Sequence, residues 1–531
     1  MNPARLRPLL LVAACGLAWE AAGDGVHPVF ESGPVAPPPG KSENPSDELD
    51  RIVFAQLDAL GLKAARDSSD AVFLRRAYLV TIGTLPREDE ARDFLASQDE
   101  SKRVLLVEHL LSRPEYADYW AMRWADVLRV KAEFPINLWP NAVQAYHQWI
   151  LGSVRENKPY HQFAQELLVG TGSNFREGQV NFYRAMQDRA PRGIAATVAL
   201  TFLGERAEKW PERKLDAMAG FFANVAFKPT AEWKEEIVYF DPNADRDGLH
   251  KDAIFPDGTP AKLDPGRRDP RAVFANWLLR PENPWFSRCA VNRVWTWLMG
   301  RGIVHEPDDF RPDNPPSNPE LLAFLEREFI ASRCDIQHLV RVILNSRTFA
   351  LSPIPAQDTP EAAAQFAHYP MRRLEAEVLI DALNQITETR EAYSSATPEP
   401  FTFVPEDVRG IALPDGSITS SFLELFGRPP RDTGHQSERS LETNAAQRLH
   451  FLNSSHIQKK IEASPLVSRA SSDDPAALAE DAYLTVLSRH PTAEEIAEVR
   501  AYAESGATPG RALAADLVWA LINQPEFFYN H

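Results

Sequence analysis

Apolar positions recur along most of the chain at helical rather than strand spacing. Across residues 116–128 they fall at Tyr116, Trp120, Trp124 and Leu128, four apart, which places one apolar face on a helix. The tryptophans on that face read as core; a stack against a cofactor is the other use of such rings. Helix punctuation agrees with the periodicity. Asn318-Pro319-Glu320 offers a side-chain cap, a proline in the first turn, where a missing N–H costs nothing, and an acid at the positive end of the helix dipole. Thr492 to Glu495 has the form of a capping box, with Gly506 closing the helix it opens. Strand signals are local. Residues 236–240, a DPNADRDG turn and residues 249–255 predict a small hairpin, and residues 401–404 with 411–413 are a second candidate. The expected fold is therefore mainly α: two helical domains, 48–261 and 262–531, with one or two small β-hairpins.

Two stretches echo each other. Tyr78 to Pro86 and Tyr483 to Pro491 span the same interval; each is followed by an acidic helix and later by a Pro-Glu step, Pro114-Glu115 and Pro525-Glu526. Two copies are too few for a solenoid, so they read as duplicated helical hairpins inside globular domains, with chance similarity of amphipathic helices as the alternative.

Composition narrows the partners. The 531 residues are 44% hydrophobic and 25% charged, as in soluble globular proteins. The net charge of −17 argues against nucleic acid or an anionic membrane surface as a partner. Residues 1–22 read as an export signal, with Arg5 and Arg7 ahead of an apolar run too short to span a bilayer. Val12-Ala13-Ala14-Cys15-Gly16 resembles a lipobox, which would make Cys15 a lipidation site and the only membrane anchor; cleavage near Ala22 is the alternative. Residues 23–47 lack apolar periodicity and read as a disordered, Pro-rich spacer. The expected location is the periplasm or cell envelope. Cys289 sits in an apolar helix and reads as a core residue rather than as half of a disulfide with Cys334.

Candidate chemistry is concentrated between Asn283 and Phe329. Asp308, Asp309 and Arg311 follow His305 and Glu306, and Arg293 precedes them. Adjacent carboxylates could serve as acid and base. Equally, they could pair with Arg293, Arg428 or Arg431, because the guanidinium fork matches a carboxylate. The structural use is the favoured one. Glu375, Glu377 and Asp381 share one helix and read as a solvated face or an ion-pair ladder. Asp241, Asn243, Asp245 and Asp247 alternate like calcium ligands, but Arg246 takes a loop-glycine position and no bidentate acid closes the loop, so a turn is preferred. His435 and His450 stand too isolated to name as ligands. No GxSxG, HExxH, Walker or dinucleotide motif occurs, and no cofactor is expected.

Several long strings in order carry a family resemblance: FLRRAYLVTIGTLP, LLSRPEYADYWAMRWADVLR, ENKPYHQFAQELL and AGFFANV, then NRVW, GRGIVHEPDDFRP, NPPSNPELL, MRRLEAEVLIDAL, FGRPPRDT and INQPEFFYNH. The chain resembles the cytochrome-c-associated envelope proteins of planctomycetes and verrucomicrobia, whose halves are domains of unknown function fifteen-forty-nine and fifteen-fifty-three. Relatives usually carry CxxCH after a Phe-Leu-Gly. Here Phe202-Leu203-Gly204 runs directly into ERAEKW, without the cysteines or histidine that covalent haem needs. The Cys-x-Cys that relatives often show after Gly-Arg-Pro-Pro-Arg is replaced by residues 433–437, Thr-Gly-His-Gln-Ser. The resemblance implies a haem-less, non-catalytic binding or scaffold protein. It also implies an exported partner of alkaline-phosphatase or sulfatase-like fold, since relatives are commonly encoded beside one. The alternatives are a polysaccharide-acting enzyme using the Asp/Arg cluster and electron transfer through a non-covalent cofactor.

Overall fold

The structure, a computed structural model, describes residues 26–33, 40, 42–244, 248–470, 474–505 and 510–531. Cys15, the export signal, Asp245, Asp247 and Gly506 lie outside the described residues. The chain is mainly α-helical, with one three-stranded and one two-stranded sheet among the described residues. Among them, too, no helix is long and apolar enough to cross a membrane.

Local signals place the helices. Helix Pro114–Val127 buries Tyr116, Trp120 and Trp124, and both tryptophan rings meet Trp297 edge-on, at 5.6 and 5.1 Å between centroids. Those rings are core, as their spacing indicates. Helix Pro319–Ala331 starts where Asn318 accepts from the Leu321 N–H. Helix Ala493–Glu504 starts at a reciprocal capping box between Thr492 and Glu495. One apolar cluster runs from Leu49 to Phe527 through both halves of the chain. Part of the expected spacer belongs to this body: Val29 and Phe30 are buried against Val72, and Ser32 donates its N–H to the Asp67 carbonyl. Two apolar side chains and a paired backbone hold residues 29–32 in place, which composition alone did not reveal.

Both expected hairpins need correction. Strand Glu236–Phe240 exists, but its partners are Val225–Pro229 and Gly172–Ser173, all antiparallel. Residues 249–255 instead dock on helix Glu212–Ala219, where the Ile254 N–H reaches the Ala217 carbonyl. A Cβ on Gly220 would lie 2.6 Å from the Leu249 carbonyl, so glycine permits that approach. At the second candidate, the Asp381 carboxylate accepts from the N–H groups of Gly410 and Ile411, at 2.7 and 3.0 Å. This curls Gly410–Ala412 into a single 3-10 turn rather than a strand. The two-stranded sheet is Arg372–Arg373 with Tyr529–Asn530.

The echo is structural. Glu90 and Glu495 each sit at the third position of a helix and bond back to the capping N–H, at 2.8 and 2.7 Å. In the first copy Arg113 ties Glu90 to Glu115, at 2.7 and 2.9 Å. In the second, Arg489 ties Glu495 to Glu526, at 2.8 and 2.7 Å. Both copies thus fasten a helix-start glutamate to the acid after a proline. The copies touch each other through Arg75, whose guanidinium donates to the Val486 carbonyl at 2.9 Å.

Candidate functional site

The density of special residues between Asn283 and Phe329 resolves into a clasp. Helix Pro284–Met299 is capped by Asn283 and stopped by Gly300, whose φ of 79° suits glycine. After the Gly-Arg-Gly turn the chain folds back on that helix. The Asn292 amide donates to the Val304 carbonyl and accepts from the Val304 N–H, both at 2.9 Å. Gly302 is required there, since a Cβ would stand 2.2 Å from the Val304 carbonyl.

Arg293 points into the first half of the chain. Its guanidinium donates to the Thr201 carbonyl at 2.9 Å and to Asp308 at 3.2 Å, and both side chains of that ion pair are buried. The other Asp308 oxygen accepts from the Gln436 N–H at 2.7 Å, and the Gln436 side chain accepts from the Trp297 indole at 3.0 Å. Asp308 therefore joins residues 199–203, helix Pro284–Met299 and the loop around Gln436. Neighbouring Asp309 is also buried, but its partners reach it from the rim: Lys209 at 3.1 Å and Arg311 at 3.2 Å are both more than two-fifths exposed.

The second arginine group lies apart from this pair. Arg428 reaches Glu377 at 3.4 Å, and Arg431 reaches Asp126 at 2.8 Å. Neither pairs with Asp308 or Asp309, which corrects the expected single network. Arg439, not singled out in the sequence, is the hub: it bonds Glu377 and Asp126, each at 2.6 Å, and stands 3.7 Å from Glu375. Glu375 also pairs with Arg123. Glu375, Glu377 and Asp381 are buried, not a solvated face. Their helix, Ala376–Thr387, is buried almost all round, so polar spacing along it does not mark a surface. The Arg439 and Arg428 charges hold the Glu377 carboxyl well below the ordinary carboxylate range, against the upward push of burial. Burial pushes Asp381 up to about 7, against the pull of two backbone N–H groups and the Arg409 charge.

Between the two groups lies a cavity of about 10 Å³, lined by Arg123, Asp126, Trp297, His435, Gln436 and Arg439. That is the room one water molecule needs. A larger groove of about 320 Å³ lies elsewhere, along Asp50, Asp67, Arg103 and Arg347. There Asp50 is pushed up to about 6 by burial and accepts from the Arg347 and Thr348 N–H groups at 2.7 and 2.8 Å.

At the other candidates, Asp241 accepts from the Asn243 N–H at 2.9 Å, closing a side-chain-capped turn. Among the described residues no group of three or more His, Cys, Asp or Glu side chains is arranged to hold a metal ion. Cys289 and Cys334 are both free thiols. Gly204, which ends the Phe-Leu-Gly string, has φ 67° and lies against the Phe310 ring. Glu205 then accepts from the indoles of Trp210 and Trp285, at 2.8 and 2.7 Å, which fastens this loop to the second half of the chain.

These features define a helical protein whose two halves are braced by buried arginine–carboxylate pairs. The chain belongs to the planctomycete cytochrome-c-associated family. Residues 48–225 match PSCyt2, a protein of unknown function (DUF1549), and residues 270–503 match PSD1, a protein of unknown function (DUF1553). No curated protein and no solved structure shows a significant match to the chain.

Proposed function

We propose that this chain is an exported, envelope-tethered binding or scaffold protein, a haem-less and non-catalytic member of its family. The observation that carries this reading is the closure of the Asp/Arg cluster. Asp308 is buried and bonded at both oxygens, Glu377 is fully buried between two arginines, and the space between holds about one water, about 10 Å³. An acid–base pair acting on a polysaccharide needs an open cleft with carboxyl groups free to reach the substrate. The partner proposed first is an exported protein of alkaline-phosphatase or sulfatase-like fold. Cys15 is the proposed tether.

The test is co-purification from native membranes with the full chain as bait, beside fractionation of a Cys15→Ser variant. The reading expects a stoichiometric partner of that fold and release of the variant from the membrane. Polysaccharide cleavage by the purified chain, lost in Asp309→Asn while the fold persists, would replace it with the enzymatic reading.

A further inference from the structure

Helices Ala445–Asn453 and Ser455–Ala463 meet at Ser454, which ends one and caps the other by accepting from the Ile457 N–H. This abrupt junction sets His450, in the last turn of the first helix, against His456, in the first turn of the second. Their ring nitrogens, Nε2 of His450 and Nδ1 of His456, are 3.2 Å apart. The far nitrogen of His456, Nε2, faces the Glu391 carboxylate at 2.8 Å. Glu391 is itself held by Lys460 at 3.4 Å and is 9% exposed. The Phe422 ring packs edge-on to both imidazoles, at 5.7 and 5.9 Å between centroids. Two imidazoles are thus fixed nitrogen to nitrogen, while the His456 side chain keeps 32% of its surface in solvent.

We propose that His450 and His456 form a binding site for a zinc-class divalent transition ion, with Glu391 as the carboxylate that orients His456. The tautomers fit. The Glu391 carboxylate can only accept, so the His456 Nε2 carries the proton and the Nδ1 presents a lone pair. A ligating histidine ordinarily donates its other ring N–H to just such a carboxylate. With that lone pair as acceptor, the Nε2–H of His450 is the donor in the contact between the rings. Its single proton moves from Nε2 to Nδ1 when the ion binds, so neutral ligands remain and no proton is lost. Tetrahedral zinc, at about 2.0–2.1 Å from each nitrogen, needs the two nitrogens about 3.3 Å apart, close to the spacing present. Imidazole pairs select zinc, copper or nickel over calcium and magnesium. The remaining two positions fall to water or to a side chain of a docked partner. The six-residue spacing crosses a helix boundary, which is why neither histidine stands out in the sequence.

The test is calorimetric titration of the untagged full chain, stripped with chelator, with zinc chloride alone. One zinc per chain is expected, with a rise in Tm that calcium does not reproduce. His450→Ala and His456→Ala should each weaken binding more than tenfold, Glu391→Gln should weaken it by about 10–100-fold, and His109→Ala, on an exposed helix face, should change nothing. If the alanine variants do not fold, His450→Gln and His456→Gln, which keep the volume and a polar tip, carry the same expectation. Absence of zinc binding by the wild type, or unchanged affinity in folded variants of either histidine, overturns the proposal.

Discussion

Arg439 and Asp126 meet at 2.6 Å across a sequence separation of 313 residues. The contact ties the end of helix Pro114–Val127 to the loop that follows Gly-Arg-Pro-Pro-Arg, so each half of the chain completes the other. Arg439 is also bonded to Glu377, and neither side chain has water to fall back on. Removing one partner of such a pair leaves a buried charge uncompensated.

Glu377→Gln is expected to destabilise the protein by about 3–5 kcal/mol at neutral pH. Because its carboxyl is held below the ordinary range in the folded state, the pair's contribution is complete above the unfolded carboxylate pKa. It is lost as pH falls through the lowered folded value. The Tm difference between wild type and variant should therefore be wide at pH 7 and narrow progressively below about pH 4.3, the unperturbed glutamate value. A difference independent of pH would contradict the assignment.

The duplicated brace predicts an asymmetry. Arg489 is 5% exposed between Glu495 and Glu526, whereas the Arg113 side chain is 19% exposed. Arg489→Ala should cost about 3–5 kcal/mol and Arg113→Ala about 1 kcal/mol, read by urea unfolding. Equal losses would mean that burial does not set the strength of this motif.

Gly204→Ala tests the turn that follows residues 199–203. A left-handed φ costs an alanine about 1–2 kcal/mol, and the new Cβ would stand 2.7 Å from the Phe310 ring. A drop in Tm of several degrees is expected, with no change in helical content by circular dichroism. An unchanged Tm would show that the turn relaxes freely.

The helices were legible because their signals are local: four-residue apolar spacing at Tyr116, Trp120 and Trp124, the Asn318 cap, the Thr492–Glu495 box. Strand pairing was not, because it depends on which segment docks beside Glu236–Phe240. Residues 249–255 carry a turn signal, yet find a better seat on helix Glu212–Ala219. The candidate site was half legible. Arg293 and Asp308 stand among glycines, prolines and asparagines that fix the backbone, and they do pair. Asp126, Glu375 and Arg439 look like ordinary surface residues in the sequence, since only the tertiary fold removes their solvent. Arg428 and Arg431 are marked by their Pro-Pro setting, but their partners, Glu377 and Asp126, come from helices with no such marks.

The central claim is that Asp308 braces the fold instead of working on a substrate, and equilibrium urea unfolding of alanine variants at Asp308 and Asp309 tests it most directly. Asp308 is buried, paired with Arg293 and bonded to the Gln436 N–H, so Asp308→Ala should lose about 3–5 kcal/mol. Asp309 answers only half-exposed Lys209 and Arg311, so Asp309→Ala should lose no more than about 1 kcal/mol. An Asp308→Ala protein as stable as the wild type would contradict the account and return this pair to the candidates for catalysis.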